Sequence, residues 1–361
     1  MDRNSFISSF KKNIMNRAPR AFILFLVIVL AIECGIHLLS PCIAANSAYL
    51  GIKARIMVTQ IEDINRDILI FGDSSAGVGI SPKKLHEDTG LPCANLATRV
   101  GTTIAANHFL FQSYLKANKP PKYMILMRGF NAWSEDPSNT TIELLLSNFP
   151  GKIPELLVHP RLIGSNYRTL LREIFVYLLP SQRNRWPIRR TISEVIKNKK
   201  TIPVVLAESK QEVALFEQHI LGEIQHIGTK GTEEQRERSL LKQMKFVREN
   251  EFSVSPWKNY YLEQLITLAE QKGVTVFICL PPVRREIYED EAGREYLQSN
   301  KAFIENVCRS HDNVVLLTDD FYFVTADQIT DNGNHLNAEE SIMFTDMLAQ
   351  KLLEFIDSHE K

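Results

Sequence analysis

The sequence predicts an α/β three-layer sandwich with a parallel five-stranded sheet, preceded by a transmembrane helix and interrupted by a helical insertion. The first observation is that short apolar runs alternate with amphipathic helical stretches, as in sheets covered by helices. The second is that each run is continuously apolar, as expected of parallel strands buried on both faces. The predicted strands are 67–71, 93–96, 123–127, 274–280 and 313–317.

Residues with known positional preferences mark the predicted helices. Ser81 followed by Pro82 is typical of a helix start, and Gly90 is typical of a helix end. Asn337 and Glu340 have the spacing of a capping box, which predicts a last helix that reaches about residue 358. Apolar residues at three-to-four spacing predict further helices over 102–118, 260–272 and 291–310.

The stretch 134–258 interrupts the strand–helix alternation. It is longer than a connection between a strand and a helix needs, and it reads mostly as helices with basic turns at 183–190 and 197–200. We interpret it as a helical insertion between the third and fourth strands of a domain over 66–361. It either caps the functional site or packs on the sheet without a chemical role. The basic runs at 183–190 and 284–285 are interpreted as solvated faces, with contact to an anionic glycan as the alternative.

The N-terminus has the pattern of a membrane anchor. Residues 1–20 carry five basic side chains against one acid, and the most apolar stretch of the chain follows at 21–39. A helix needs about 20 residues to cross a bilayer. The positive-inside rule then makes 1–20 a basic cytoplasmic tail and 40–65 an outer juxtamembrane linker. A cleaved signal peptide, lipidation near Cys42 and a buried core helix are the alternatives.

The composition of the chain argues against nucleic-acid binding, a zinc motif and a disulfide framework. The chain has 42 basic and 42 acidic residues, so nucleic-acid binding has no support from charge. Its five cysteines have no paired spacing, so they form neither a zinc motif nor a disulfide framework.

Polar residues follow several of the predicted strands. Because carboxyl ends of parallel strands share one edge, where ligands bind in open α/β folds, these residues are expected to meet in one crevice. A serine on such a turn is by itself also compatible with a flavodoxin-like or phosphate-binding loop, so the prediction depends on the convergence. The elements are Gly72-Asp73-Ser74, Gly101, Gly129-Phe130-Asn131 and the loop that ends in His335.

In this order, Ser74, Gly101, Asn131 and His335 resemble the four blocks of the SGNH (GDSL-like) hydrolase superfamily. The resemblance covers the chain from about residue 67 to the end, apart from the insertion. It implies a flavodoxin-like sandwich in which Ser74 is the nucleophile and His335 is the base. It also implies an oxyanion hole made of the Ser74 and Gly101 backbone N–H groups and the Asn131 amide. The reaction that it implies uses no metal and no organic cofactor.

The acid of the triad departs from the family pattern. The family usually has its Asp three residues before the His, and Asn332 stands at that position. Asp331, one residue further back, is the best candidate for the group that orients His335. Asp319, Asp320 or no acid at all are the alternatives.

The chain combines a membrane anchor, the SGNH blocks and a helical insertion. In this combination it is similar to bacterial cell-envelope proteins of this class, including relatives of the alginate O-acetylation proteins and of the D-alanine transfer protein of teichoic acid synthesis. The resemblance implies a single-pass protein of the bacterial inner (cytoplasmic) membrane with a periplasmic domain. It would act on acyl groups of a polysaccharide or envelope polymer, and a multi-pass membrane O-acyltransferase is a candidate partner. Attack by water would make the protein an esterase, and attack by a sugar hydroxyl would make it an O-acyltransferase. The candidate residues do not distinguish these two reactions.

Two other functions are compatible with these residues. A tethered accessory protein could keep the SGNH shell and use it to bind a glycan or an acyltransferase, and the displaced Asp331 favours this hypothesis. A nucleotide-binding flavodoxin-like domain would leave Asn131 and His335 without a role. Ser75 is an alternative nucleophile, one place later than the motif requires.

Overall fold

The computed structural model describes residues 22–39, 47–98, 103–135, 138–152, 179–183, 185–223, 231–330 and 334–359, together with residues 155, 171 and 174. The chain divides into two compact units. The first contains Met1–Asn46 and Arg172–Ser209, and the second contains Ser47–Leu171 and Lys210–Lys361. The sheet and all described residues of the predicted site belong to the second unit.

The second unit contains the predicted parallel sheet. Five strands pair in the order β2-β1-β3-β4-β6, and every pair is parallel. Each predicted strand is confirmed, with ends that differ by at most one residue. The strands of the chain are β1 Ile68–Gly72, β2 Cys93–Asn95, β3 Tyr123–Met127, β4 Thr275–Cys279, β5 Pro282–Arg284, β6 Val314–Leu316 and β7 Tyr322–Val324.

Helices make up most of the remaining described chain. The α-helices are α1 Phe22–Leu39, α2 Ser47–Thr59, α3 Ser74–Gly79, α4 Pro82–Thr89, α5 Thr103–Ala117, α6 Asn139–Asn148, α7 Pro180–Arg183, α8 Arg185–Ile196, α9 Ile202–Ile220, α10 Glu233–Glu249, α11 Pro256–Gln271, α12 Arg285–Glu289, α13 Glu291–Ser310 and α14 Ala338–His359. Short 3-10 turns cover Phe130–Trp133, Pro150–Lys152 and Ala326–Gln328.

Successive side chains of a strand point to opposite faces of the sheet. Because these side chains are apolar on both faces, helices cover the sheet on both sides. On one face, Ile70 belongs to a core cluster that includes Phe344 of α14. On the other face, the ring of Phe71 meets the ring of Phe111 on α5 at 5.9 Å. Helices α4 and α14 pack together, and so do α5 and α11. Both faces of the strands are therefore covered, which explains their continuous apolar sequences.

The helix ends confirm the predicted caps. Ser81 Oγ accepts a hydrogen bond from the Lys84 backbone N–H, and Pro82 is the first helical residue of α4. Gly90 ends this helix in the left-handed conformation, with φ of 71°. The Asn337 side chain accepts the backbone N–H of Glu340 at 2.8 Å, so the last helix begins as its capping spacing predicts.

Two parts of the fold differ from the sequence-based interpretation. Residues 47–59, within the stretch interpreted as a linker over 40–65, form helix α2. Its Ile52 and Val58 are buried, and Thr59 Oγ1 donates to Ser113 Oγ on α5. The sequence also does not predict the small parallel sheet of β5 and β7, because three-residue strands are too short for a periodic pattern.

The described part of the 134–258 insertion is helical, as predicted, but it does not form one body. Helices α7, α8 and the first residues of α9 belong to the same unit as α1. Helices α6 and α10 belong to the unit that contains the sheet. The apolar pattern of each helix predicts that it has a buried face, but not which partner covers that face.

Candidate active site

The candidate site lies where β1 and β3 end side by side. These neighbours in the sheet are separated in the chain by β2, which pairs on the other side of β1. The register matches Gly72 with Met127, so Asp73 and Arg128 begin the two loops next to each other. Such a reversal of strand order opens a crevice at the carboxyl edge of an α/β sheet.

Gly72 allows the two loops to approach closely. Its φ is 143°, and a Cβ at this position would lie 1.8 Å from the Met127 carbonyl oxygen. No other residue fits so near a backbone oxygen. The Gly72 carbonyl accepts hydrogen bonds from the Asn107 side chain at 3.1 Å and the Thr98 N–H at 3.0 Å. The end of β1 is thereby connected to the loop after β2 and to helix α5.

The buried carboxylate of Asp73 joins the loops after β1 and β3. Its Oδ1 accepts the Ser75 backbone N–H at 2.9 Å and so caps α3. Its Oδ2 accepts the Gly129 backbone N–H, also at 2.9 Å. The aspartate of the Gly72-Asp73-Ser74 motif is thus a connector between two predicted blocks, and its oxygens face backbone donors.

The two neighbouring serines have different surroundings. Ser74 begins helix α3 and is only partly buried. Within the described residues, its Oγ takes part in no hydrogen bond. Ser75 is completely buried, and its Oγ accepts a hydrogen bond from the Asn334 side chain at 2.7 Å. Of the two serines, Ser74 is therefore the more exposed one.

The loop after β3 lies against both serine and histidine segments. A Cβ on Gly129 would lie 2.8 Å from Asn334 Nδ2, 3.4 Å from Ser75 Oγ and 3.5 Å from Asn131 Oδ1. Three segments of the chain therefore meet at this glycine. Asn131 lies in the 3-10 turn Phe130–Trp133, is partly buried, and directs Nδ2 toward Glu135 Oε1 at a long 3.4 Å.

His335 lies on a closed loop whose ends are tied together. Ile329 and Leu336 form an antiparallel bridge, and the Thr330 N–H donates to the His335 carbonyl at 2.8 Å. Leu336 is completely buried, and its Cδ1 lies 3.7 Å from the position of a Cβ on Gly79 of α3. Asn334, the residue before the histidine, contacts Ser75, and Leu336, the residue after it, packs against α3. His335 as a whole is partly buried.

Two predicted site residues cannot be placed in this cluster. Gly101, the candidate oxyanion donor after β2, and Asp331, the candidate acid, lie outside the described residues. Four residues lie close together in space: Ser75, Gly129, Asn131 and Asn334. Ser74 directly precedes Ser75 in the chain, and His335 directly follows Asn334. In the described ranges, no group of three His, Cys, Asp or Glu side chains is arranged to hold a metal ion.

Arg128 is a buried cation next to the site that the sequence analysis missed. Only 2% of this residue is exposed, and its guanidinium lies 5.4 Å from the ring centre of Trp133. Burial lowers the pKa of Arg128, and the Asp73 carboxylate opposes this shift. Among the described residues, none of its three nitrogens has a hydrogen-bond partner. The sequence signal that could have identified this residue is that Arg128 directly follows the fully apolar strand β3.

The chain matches no protein-family model, and none of the curated proteins compared with it is a significant match. Fold and site together define an α/β protein with a five-stranded parallel sheet and a polar cluster at the carboxyl edge of that sheet.

Proposed function

We propose that this protein is an SGNH-type serine acyl-ester hydrolase or O-acyltransferase that acts on acyl groups of a cell-envelope polysaccharide. The observation that carries the proposal is the hydrogen bond from Asn334 to Ser75, with Gly129 packed against both. It joins the segments of the predicted nucleophile, base and oxyanion donor, which are far apart in the sequence.

The proposed reaction has two steps and uses no cofactor. Ser74 Oγ transfers its proton to His335 and attacks the ester carbonyl, while Asp331 orients the imidazole. The oxyanion accepts hydrogen bonds from the Ser74 and Gly101 backbone N–H groups and the Asn131 amide. One such donor contributes about 3 kcal/mol to transition-state stabilisation. His335 then protonates the leaving alkoxide, and an acyl-enzyme on Ser74 remains.

Release of the acyl group needs a second nucleophile. His335 removes a proton from water or from a sugar hydroxyl, which attacks the acyl-enzyme and regenerates Ser74. Water gives an esterase, and a sugar hydroxyl gives an O-acyltransferase. A multi-pass membrane O-acyltransferase is the proposed partner, since it would supply or extend the acylated polymer at the same membrane.

Helix α1 is the proposed anchor. It has a mean hydropathy of 2.7 and no buried residue, and by length and composition it could be a signal anchor or a signal sequence. The basic tail before it favours an uncleaved anchor with its N-terminus in the cytoplasm. We propose that the protein is attached to a bacterial inner membrane and that the domain with the sheet is periplasmic.

Labelling with a fluorophosphonate probe tests the serine chemistry on the full chain in detergent. We expect labelling of the wild type and none in Ser74→Ala or His335→Ala. Ser75→Ala is the comparison variant, because it removes a neighbouring hydroxyl that is buried; it should slow the labelling, since the hydrogen bond from Asn334 is lost, but should not abolish it. Loss in Ser75→Ala with retention in Ser74→Ala would transfer the nucleophile to Ser75. Turnover of p-nitrophenyl acetate provides the independent readout.

One observation favours a second candidate, an accessory protein that binds a glycan or an acyltransferase without turnover. Within the described residues, Ser74 Oγ takes part in no hydrogen bond, so no hydrogen bond joins it to His335. Catalytic hydrogen bonds are often long before substrate binds, so this geometry alone does not exclude an enzyme. A folded wild-type chain that neither labels nor turns over ester would support the accessory role.

A further inference from the structure

Helix α8 and the turn into α9 combine exposed apolar side chains with a high density of basic residues. Ile192 and Ile196 are 52% and 71% exposed, and their spacing of four places them on one helix face. Ile202 and Val204, at the start of α9, are 47% and 46% exposed. Residues 185–200 contain six basic side chains against one acid, while the chain as a whole is neutral. This combination is typical of helices that lie in the interface of an anionic membrane.

The basic side chains of the turn do not all serve to hold it together. Lys200 Nζ contacts Glu194 Oε2 at 3.0 Å and Glu208 Oε2 at 2.8 Å, so this lysine connects α8 to α9. Lys197 and Lys199 are exposed on the same turn. Their ammonium groups are therefore accessible to an anionic surface beside the exposed isoleucines.

The same compact unit contains helix α1, and one contact ties the two regions together. Glu33 of α1 accepts hydrogen bonds from the backbone N–H of Ser181, at 2.7 Å, and from the Ser181 hydroxyl. Ser181 belongs to α7, the short helix directly before α8. Segment 180–196 therefore starts at the side of the apolar helix.

Chain lengths show at what depth this contact lies if α1 spans a membrane. Glu33 is six residues from Leu39, or roughly 9 Å along the helix axis, so it lies toward the outer boundary of the hydrocarbon core. Helix α8 begins four residues after Ser181, a reach of at most roughly 14 Å. The beginning of α8 is thus within reach of the lipid headgroups.

We propose that α8 and the turn 197–204 lie on the outer surface of the membrane that α1 crosses, with the exposed isoleucines and Val204 among the acyl chains and the lysines at anionic headgroups. This inference rests on the anchor of the proposed function and not on its chemistry. An acidic polysaccharide fits the surface less well, because it offers nothing apolar to cover Ile192 and Ile196.

Site-specific fluorescence quenching in reconstituted full chain tests the proposal. An environment-sensitive thiol label is attached to native Cys34 in α1, to Ile196→Cys, or to Leu241→Cys on α10, with the other reactive cysteines replaced by alanine. Leu241 is the control, since it is 67% exposed but belongs to the other unit. Each chain is placed in phosphatidylcholine or phosphatidylglycerol vesicles that contain lipids with quenchers on their acyl chains.

We expect quenching at Cys34 and at residue 196, none at residue 241, and stronger quenching at residue 196 in phosphatidylglycerol. Lys197→Gln with Lys199→Gln should lower the ratio of membrane-bound to free segment about fivefold per lysine. Lys242→Gln with Lys245→Gln on α10 is the matched control and should change nothing. Quenching at Cys34 without quenching at residue 196 would overturn the inference and leave the anchor intact.

No quenching at Cys34 would instead remove the anchor, and this inference with it. A label at residue 196 that ignores lipid quenchers but responds to added polyuronate would overturn the inference in favour of a glycan site. Equal quenching at residue 196 in both lipids would overturn the role of the lysines. None of these readouts depends on whether Ser74 reacts with the fluorophosphonate probe.

Discussion

The side-chain amide of Asn334 donates a hydrogen bond of 2.7 Å to Ser75 Oγ, and both residues are buried. They are the immediate chain neighbours of His335 and Ser74. Since consecutive Cα atoms are about 3.8 Å apart, this contact limits how far the loop of the histidine can move from the turn of the serine. The contact therefore helps to hold the segment of His335 next to the segment of Ser74.

We expect Asn334→Ala to destabilise the fold and to lower esterase activity. The buried Ser75 hydroxyl would lose its partner, which costs about 1–3 kcal/mol. Thermal unfolding of the full chain in detergent measures the stability, and kcat/KM for p-nitrophenyl acetate measures the activity. In a double-mutant cycle with Ser75→Ala, a coupling of about 0.5–3 kcal/mol is expected. Additive effects would show that the hydrogen bond contributes nothing.

Gly129→Ala should disturb the same contact by steric means alone. The new methyl group would lie 2.8 Å from Asn334 Nδ2, closer than real side-chain contacts, while a backbone φ of −52° suits alanine. We expect lower kcat/KM with secondary structure retained. Gly151→Ala is the matched control, because among the described residues no atom beyond its chain neighbours lies within 4 Å of the added methyl. Wild-type activity in Gly129→Ala would show that the loop tolerates displacement of Asn334.

Arg128→Met is expected to leave the protein as stable as wild type or to stabilise it. Burial disfavours the Arg128 charge more than the Asp73 carboxylate favours it, and among the described residues the three guanidinium nitrogens have no hydrogen-bond partner. Replacement of a buried charge by an apolar side chain of similar volume is often neutral or stabilising by about 1–4 kcal/mol. Arg128→Lys keeps the charge and is the matched control. Thermal unfolding that shows a large loss of stability in Arg128→Met would show that the Asp73 carboxylate depends on this charge.

Stability should fall in mild acid because of His108. Burial, and secondarily the Lys152 ammonium, lower the pKa of His108 from 6.5 to about 4, and this outweighs the Glu155 carboxylate 3.7 Å away. Between pH 6.5 and about pH 4, the unfolded chain therefore binds more protons than the folded protein. As a result, the free energy of unfolding decreases as the pH falls through this range. The difference between pH 7 and pH 5 is about 2 kcal/mol.

Chemical unfolding at the two pH values measures this dependence. His108→Gln, which cannot be protonated, should reduce the pH dependence by that amount, although the protein itself could be less stable. His86→Gln, at an exposed histidine of α4, is the control for the substitution itself. An unchanged slope in His108→Gln would contradict the lowered pKa.

Local sequence determined the elements of this fold. Buried parallel strands need continuous apolar residues and helix ends need particular capping residues, so both are legible without a structure. Strands 123–127 and 67–71 and the caps at Ser81 and Gly90 were predicted for this reason. Order along the chain also indicated which strand ends would carry polar residues, and Ser74, Asn131 and His335 were selected as candidates in that way.

Only the tertiary structure decided which of these residues meet and which are accessible. Ser74 and Ser75 are both small hydroxyls in one turn; the partner that buries Ser75 is Asn334, 259 positions away in the chain. Likewise, the helical pattern of α2 and α8 does not reveal that α2 packs on α5 while α8 groups with α1. Periodicity shows that a helix has an apolar face, whereas the partner of that face depends on contacts between distant segments, which no local pattern encodes.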